Sequence, residues 1–246
     1  YFAGWPWVNA WCGDIDLIGR QKPASLARDV AWGLSSLEMA VRRPTPDGHF
    51  PWVANWGWPD ELESWTWSGQ EGKPLSVRLY TSADRVELLL NGRKLGDQAP
   101  DKMKAEFAVP YAPGKIEAVA YKDGRVVGRR KLETVGAAAR LRLTPERPST
   151  RSGREALAFV PIEVLDGQGR VLPEDQRSVT MKVTGPAELA AFGSANPLAV
   201  GSLQAPEAQT FRGRALAILR AKGSGRVRIE ARSPGLPGAA ATINFG

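Results

Sequence analysis

Alternation of apolar and polar side chains is the clearest pattern in this chain, and it predicts β-structure over most of its length. Residues 75–80 and 179–184 place an apolar side chain at every second position. A period of two is typical of a strand with one buried face. Asn91-Gly92 and Asp123-Gly124 lie between such runs, and both dipeptides tolerate the positive φ angles of a tight turn. The pattern therefore predicts consecutive antiparallel hairpins.

The predicted strands fall into two groups, separated by Gly136 and the three alanines that follow it. Residues 73–136 predict a small β-sandwich, and residues 137–246 predict an immunoglobulin-like β-sandwich without a cysteine pair. Within the second group, the stretch 192–196 is rich in glycine, serine and asparagine and is interpreted as a turn. The fold class predicted for residues 73–246 is mainly β, with two immunoglobulin-like antiparallel β-sandwich domains.

The front of the chain has a different pattern. Pro23 suits the first turn of a helix, Leu26 and Val30 lie four residues apart on one face, and Gly33 is a suitable C-terminal stop. Residues 37–42 then alternate with the period of a strand. We therefore expect a short amphipathic helix that packs on a neighbour, followed by one strand.

Composition sharpens this division, because all nine tryptophans lie within the first 67 residues: Trp5, Trp7, Trp11, Trp32, Trp52, Trp56, Trp58, Trp65 and Trp67. Indole rings bury a large apolar area, so such a group indicates either a dense core or an aromatic surface. The stretch 46–72 contains few aliphatic residues that could form a core of its own. We interpret it as a Trp-rich connector that is covered by neighbouring protein or forms a binding surface.

Charge is unevenly distributed. Residues 1–72 carry nine acidic and five basic side chains, whereas residues 73–246 carry 17 acidic and 28 basic ones. A basic region raises the question of nucleic-acid binding. In Arg226-Val227-Arg228-Ile229, however, the charges alternate with apolar residues as on a solvated strand face, and no nucleic-acid-binding signature accompanies them. We expect no nucleic-acid partner.

We expect neither a membrane span nor a signal peptide from this sequence. It has no run of about 18 apolar residues, so no membrane span is expected. Its start, YFAGWPWVNAW, lacks a basic region and a long apolar run, and it does not begin with Met. We interpret the chain as a fragment or processed product.

Candidate chemistry is sparse. Cys12 is the single cysteine and His49 the single histidine, so neither a cysteine-based metal cluster nor a Ser-His-Asp triad is indicated. We expect no metal and no cofactor, a buried thiol at Cys12 and a structural or solvent-exposed role for His49.

Two pairs of acids invite a catalytic interpretation. Asp14 and Asp16 lie two residues apart and would point the same way in a strand, where they could hold a cation or accept hydrogen bonds from hydroxyls. Turn and cap chemistry before a helix is the alternative, and we favour it. Glu61 and Glu63 also lie two residues apart, and the same two interpretations apply to them. Carboxylates on one segment do not straddle a sugar as a glycosidase pair does, so we expect no catalytic residue in this chain.

Specific stretches resemble a known family. WPWVNAWCGDIDLIGRQKPASLARDVAWG, MAVRRP and NWGWPDELESWTWSGQEGKPLSVRLYTSADRVELLLNGRKLG, in this order, resemble the C-terminal part of bacterial family 2 glycoside hydrolases, in particular the β-galactosidase-like members. The similarity covers residues 1 to about 135. Residues 140–246 resemble the last immunoglobulin-like domain of the same enzymes.

The resemblance implies an origin for each part of the chain. In that family, a sugar-binding sandwich, an immunoglobulin-like domain and a (β/α)8 barrel come first. Residues 1–45 would be the last segment and helix of the barrel, a C-terminal remnant of it, and residues 46–72 the connector to the sandwiches. The family's two catalytic glutamates lie on earlier barrel strands. No motif here matches them, so this chain alone is expected to be inactive.

The resemblance also implies a local role at the sugar site, because loops after barrel strands lie on the catalytic face. The substrate-binding candidates are aromatic rings that stack on sugars and carboxylates that accept their hydroxyls: Trp5, Trp7, Trp11, Asp14, Asp16, Trp56 and Trp58. The implied partners are the upstream domains of the same polypeptide and a β-galactoside or related glycan. A homo-oligomer is left open, and a periplasmic or extracellular setting is favoured. Two alternatives remain, a carbohydrate-binding or adhesion module with a Trp-rich face and a structural spacer.

Overall fold

The structure is a computed structural model, and it describes residues 4–6, 13–46, 48–50, 59–153 and 155–246. Contacts divide the chain into two units. The front unit has Gln21–Thr134 as its main span, and the rear unit has Val135–Gly246 as its main span together with Asp16–Arg20 and the described residues 4–6. Among the described residues, no helix has the length and apolarity needed to cross a bilayer.

The front unit begins with helical structure and continues in two four-stranded sheets. A 3-10 turn at Pro23–Ser25 leads into α1, Leu26–Ala31, and Gly33 follows with a φ of 72°. The predicted helix is therefore confirmed. The strands are β1 (Glu38–Arg42), β2 (Glu61–Leu62), β3 (Pro74–Tyr80), β4 (Arg85–Leu90), β5 (Arg93–Gln98), β6 (Lys104–Pro110), β7 (Lys115–Lys122) and β8 (Arg125–Glu133).

The front sheets have the strand orders β2-β1-β3-β6 and β5-β4-β7-β8, and all pairs are antiparallel. Asn91 and Asp123 have φ angles of 52° and 50°, so both predicted hairpin turns are confirmed. One apolar core joins side chains of both sheets, which makes the unit a β-sandwich. β1 and β2 precede residue 73 and yet belong to this sandwich. The predicted boundary at residue 73 therefore lies inside the front unit.

The outer face of the first sheet is covered by the helical segment. Leu26 and Val30 of α1 pack with Ala40 of β1 and Tyr80 of β3 in a small separate cluster. Ala40 and its neighbours in β1 are buried on both faces of the sheet. β1 is therefore an interior strand of the front unit. The amphipathic stripe predicted from the sequence thus packs on this sheet.

The rear unit is a second sandwich with one core between its sheets. Its strands are β9 (Ala138–Leu143), β10 (Ser149–Thr150), β11 (Leu157–Asp166), β12 (Ser178–Thr184), β13 (Ala187–Gly193), β14 (Glu207–Gln209), β15 (Arg214–Ala221), β16 (Gly225–Arg232) and β17 (Ala239–Phe245). The sheets have the orders β10-β17-β16-β12-β14 and β13-β15-β11-β9. All pairs are antiparallel except β10 with β17.

The rear unit confirms the mainly β, immunoglobulin-like prediction, with one local error. The turn predicted at 192–196 begins too early, because Phe192 and Gly193 are the last residues of β13 and pair with β15. Phe192 is buried in the core. The glycine, serine and asparagine of this stretch masked a strand whose alternation is weak.

Candidate functional site

The loop before α1 contains the Asp14 and Asp16 candidates, and the two carboxylates have different partners. The Asp16 carboxylate accepts hydrogen bonds from the backbone N–H groups of Ile18 at 3.0 Å and Arg20 at 2.9 Å. The Asp14 carboxylate forms an ion pair with Arg28 of α1. Asp16 therefore holds a turn, as favoured from the sequence, whereas Asp14 pairs with Arg28 and caps neither helical N-terminus.

The tryptophans do not form one surface. Trp65 is completely buried, and its indole N–H donates to the Ala112 carbonyl at 2.9 Å. Trp67 is also in the core of the front unit, and its indole N–H donates to the Ser64 carbonyl. The ring of Tyr111 meets that of Trp65 edge to face, with centroids 5.1 Å apart. For Trp65 and Trp67, the expected connector awaiting cover is therefore wrong, because the front sandwich closes over both rings.

Other tryptophans in the described residues point to solvent. Trp5 is 78% exposed and Trp32 is 69% exposed. The remaining substrate-binding candidates, Trp7, Trp11, Trp56 and Trp58, lie outside the described residues, and so does Cys12. The structure therefore divides the aromatic group into core rings and rings available to a partner.

The first part of the Trp-rich stretch lies between β1 and β2, the edge strand of the first front sheet. β1 and β2 pair through Val41 with Leu62 and Arg42 with Glu61. The Arg43 N–H donates to the Asp60 carbonyl, and the Arg43 side chain forms an ion pair with the Asp60 carboxylate, both at 2.9 Å. The sequence between them, residues 44–59, is called the aromatic loop below, and of it the structure describes residues 44–46, 48–50 and 59. Phe50 in this loop is 94% exposed.

A buried charge network lies at the return end of the aromatic loop. The Glu61 carboxylate accepts a hydrogen bond from the Arg78 guanidinium at 2.6 Å and one from the Tyr80 hydroxyl at 2.8 Å. Its side chain has no exposed surface. Arg78 also donates to Glu106 at 3.1 Å, and Ser76 donates to the same carboxylate at 2.6 Å.

The electrostatics of this network follow from burial and from its acids. Burial opposes the charge of Arg78, but the Glu61 and Glu106 carboxylates together raise its pKa above the ordinary value. Burial and the neighbouring Glu61 charge raise the pKa of the Tyr80 phenol. Arg78 stays a cation and Tyr80 a neutral donor throughout the physiological range. The network therefore holds Glu61 as an acceptor on both of its oxygens.

Sequence reasoning missed this network. Glu61 was assigned to turn chemistry together with Glu63, which instead forms an ion pair with Arg130 at 2.6 Å. Arg42 and Glu61 pair although they are far apart in the sequence. No alternation of apolar and polar residues along the chain predicts such a pair. One feature of the sequence could have indicated the network: Glu61 is a charged residue directly before Leu62, which lies in the core.

Comparison with known families agrees with this architecture. Residues 141–242 match the family described as glycoside hydrolase family 2 C-terminal domain 5. Residues 72–128 match a domain of unknown function, DUF4982. These matches confirm the resemblance to the C-terminal part of glycoside hydrolase family 2.

Individual relatives support the same assignment. The β-galactosidase BoGH2A of Bacteroides ovatus is 28% identical over 236 residues, which are 95% of this chain and 25% of that protein. A β-glucuronidase of Formosa agariphila is 25% identical over 94% of this chain and 22% of its own length. A family 2 glycosyl hydrolase of Bacteroides cellulosilyticus superimposes with a TM-score of 0.89 at 32% identity, covering 96% of this chain and 32% of its own. The chain thus spans about a quarter to a third of these relatives' lengths.

Proposed function

We propose that this chain is the non-catalytic C-terminal portion of a retaining β-galactosidase-type glycoside hydrolase. In this proposal the residues before β1 close the (β/α)8 barrel, and the two sandwiches support the active site from outside it. The barrel boundary moves from residue 45 to the start of β1, because β1 is a strand of the front sandwich. The catalytic glutamates are contributed by upstream domains of a longer polypeptide.

The observation that carries the proposal is the exposure of large apolar side chains within residues 4–50. Clusters of exposed apolar residues mark surfaces that another protein surface covers. Among the described residues of this stretch, the exposed large apolar ones are Trp5, Ile15, Leu17, Trp32, Leu34 and Phe50. The proposed cover is the remainder of the barrel.

The acids support the same interpretation. Asp14, Asp16, Glu61 and Glu63 all form ion pairs or hydrogen bonds within the chain. A retaining glycosidase needs two carboxyl groups about 5–5.5 Å apart on either side of the scissile bond. Carboxylates that already bind an arginine or the backbone N–H groups of a turn are poor candidates for such a catalytic pair.

The expected result is that the 246-residue chain hydrolyses neither nitrophenyl β-galactoside nor nitrophenyl β-glucuronide. A polypeptide that also carries the upstream barrel hydrolyses one of the two and loses activity when its barrel glutamates are replaced by glutamine. Release of nitrophenol is followed by absorbance. Turnover by the 246-residue chain with saturation kinetics would overturn the proposal.

A second candidate function is carbohydrate binding by the aromatic loop. It is favoured by the exposure of Phe50, which lies in the same stretch of sequence as Trp52, Trp56 and Trp58. Aromatic rings stack on the apolar faces of sugars, and a loop with fixed ends can present them. In the longer enzyme such a loop could contact the substrate from the barrel's rim, together with Trp5, Trp7, Trp11, Asp14 and Asp16.

Tryptophan fluorescence titrated with galactosides tests this second candidate. We expect a saturable change in emission that is lost in Trp56→Ala and Trp58→Ala. Trp32→Ala is the control, since Trp32 is exposed but lies at the end of α1, outside the aromatic loop. No change in the wild-type chain, or loss of the response in all three variants alike, would count against sugar binding by the loop.

A further inference from the structure

The sheet β10-β17-β16-β12-β14 of the rear unit is buried on one face. Successive side chains of a strand point to opposite faces. The inward residues of its three longest strands lie in the core: Val179, Met181, Val227, Ile229, Ala231, Ile243 and Phe245. The alternation predicted at residues 226–229 is therefore confirmed, and the residues between the core positions form an outward face.

The outward side chains of β12, β16 and β17, called the basic face below, carry four cations: Lys182, Arg226, Arg228 and Arg232. All four are exposed. Glu230 is the one acid in these three strands, whose residues the structure describes in full, and it pairs with Arg228 at 3.2 Å. On the neighbouring edge strand β14, Glu207 accepts a hydrogen bond from the Ser178 hydroxyl. Cations therefore outnumber acids on this face.

Three of these cations have no acid in contact. Among the residues that the structure describes, no carboxylate lies within 4.0 Å of the charged groups of Lys182, Arg226 or Arg232. Lys182 lies opposite Glu230 in the pairing of β12 with β16, but that carboxylate contacts Arg228 instead. Arg226 and Arg232 lie at the two ends of β16, about 20 Å apart along the strand. The basic face thus presents spaced, uncompensated positive charge.

The other sheet of the rear unit, β13-β15-β11-β9, compensates its surface charges internally. Two acids there each pair with two cations: Glu163 with Arg142 and Arg214, and Glu188 with Arg220 and Lys222. Residues 135–246 carry 15 basic and nine acidic side chains, so both sheets come from a basic stretch. The uncompensated cations of the basic face therefore do not follow from composition alone.

The remaining side chains of the basic face indicate which anion it suits. They are small or carry hydroxyl or amide groups: Ser178, Thr180, Thr184, Ala240, Thr242 and Asn244. Sheets that bind single-stranded nucleic acid stack its bases on aromatic side chains, and surfaces that bind proteins expose apolar patches. Across the fully described strands β12, β16 and β17, neither kind of side chain points outward. Hydroxyl groups suit sugars, and the arginine fork matches the geometry of a carboxylate.

We propose that the basic face binds a polysaccharide that carries uronate carboxylates along its chain. Lys182, Arg226 and Arg232 contact the carboxylates, and the threonine hydroxyls beside them contact the sugar hydroxyls. Exposed ion pairs are individually weak, but a polymer engages several of them at once. The proposal goes beyond the proposed function, because this binding needs neither the barrel nor catalytic activity.

Binding of the 246-residue chain to immobilised polygalacturonate is measured by biolayer interferometry. We expect saturable binding that weakens severalfold between about 20 and 150 mM salt, because exposed charges are screened. Dextran, a neutral polysaccharide, should not bind. An absence of binding to polygalacturonate, binding that does not depend on salt, or equal binding of the two polymers would overturn the proposal.

A matched pair of double variants locates the site. Arg226→Gln/Arg232→Gln removes two cations from the basic face, and Arg220→Gln/Lys222→Gln removes the same charge from the cations that pair with an acid. We expect polygalacturonate to bind about tenfold more weakly to the first and within about twofold of wild type to the second. Equal weakening would show a response to net charge alone and overturn the proposal. If circular dichroism shows the first variant unfolded, Lys182→Glu decides, and an unchanged affinity of that variant contradicts the proposal.

Single-stranded DNA separates the two classes of polyanion. We expect oligothymidylate to bind more weakly than polygalacturonate of the same number of charges, because the basic face has no aromatic side chain on which bases could stack. Tighter binding of oligothymidylate that is lost in Arg226→Gln/Arg232→Gln would assign the face to nucleic acid and overturn the proposal.

Discussion

Replacing Trp65 by alanine is expected to destabilise the front unit by about 4 kcal/mol, because it removes a large, fully buried side chain and leaves a cavity. The change also removes the hydrogen bond from the indole to the Ala112 carbonyl and the edge-to-face contact with Tyr111. The measurement is urea-induced unfolding followed by tryptophan emission. All tryptophans lie within the first 67 residues, so this signal reports on the front part of the chain.

Trp32→Ala is the matched control for Trp65→Ala. Trp32 is 69% exposed at the end of α1, so its removal should change the free energy of unfolding by about 0.5 kcal/mol or less. Equal losses in the two variants would contradict the division of the tryptophans into core rings and exposed rings. In an enzyme that includes the barrel, the proposal predicts that Trp32→Ala becomes more costly, because its ring would then be covered.

The second large effect is expected at Asp166 in the rear unit. Its fully buried carboxylate accepts hydrogen bonds from the backbone N–H groups of Gly136, Gln168 and Arg170 and from the Arg170 guanidinium at 2.8 Å. Asp166→Asn removes the charge and replaces one acceptor oxygen with a donor. We expect a loss of about 3 kcal/mol, since a hydrogen bond to a charged group contributes about 1.5–3 kcal/mol and the amide cannot accept all four of them.

Residues 135–246 contain no tryptophan, so the loss is measured by hydrogen exchange of residues 138–245 under increasing urea. Glu188→Gln is the control in the same unit. Glu188 forms ion pairs with Arg220 and Lys222 on an exposed surface, and such pairs contribute about 1 kcal/mol at most. A destabilisation by Asp166→Asn no greater than that of the control would show that the buried carboxylate does not anchor this turn.

Asp166 also predicts how stability depends on pH. Burial by itself would raise the pKa of Asp166, but the hydrogen bonds from Gly136 and Arg170 and the Arg170 charge lower it well below its ordinary value. The unfolded chain then binds the proton more readily, so the contribution of Asp166 is complete above about pH 4 and is lost as the pH falls below that value. The stability difference between wild type and Asp166→Asn should therefore shrink between about pH 4 and pH 2.

These two sites lie in different units of the chain. Trp65 packs in the core of the front sandwich, and the Asp166 carboxylate joins Gly136 to the turn after β11. Each unit therefore has its own internal anchor. The proposed contact with the barrel is formed by the exposed apolar side chains before β1.

The sequence alone determined the features that depend on neighbouring residues. The helix at residues 23–31, the β1 strand and the hairpins at Asn91-Gly92 and Asp123-Gly124 were all predicted, because helical stripes, strand alternation and positive φ are local properties. The family was likewise identified from uninterrupted stretches of residues.

Only the tertiary structure decided which side chains meet across long stretches of chain. The sequence shows nine tryptophans as one group, whereas the fold buries Trp65 and leaves Trp32 exposed. It shows Glu61 and Glu63 as alike, whereas the fold pairs them with Arg78 and Arg130. The physical reason is that burial and charge pairing depend on strand order, and strand order is set by packing between residues far apart in the chain.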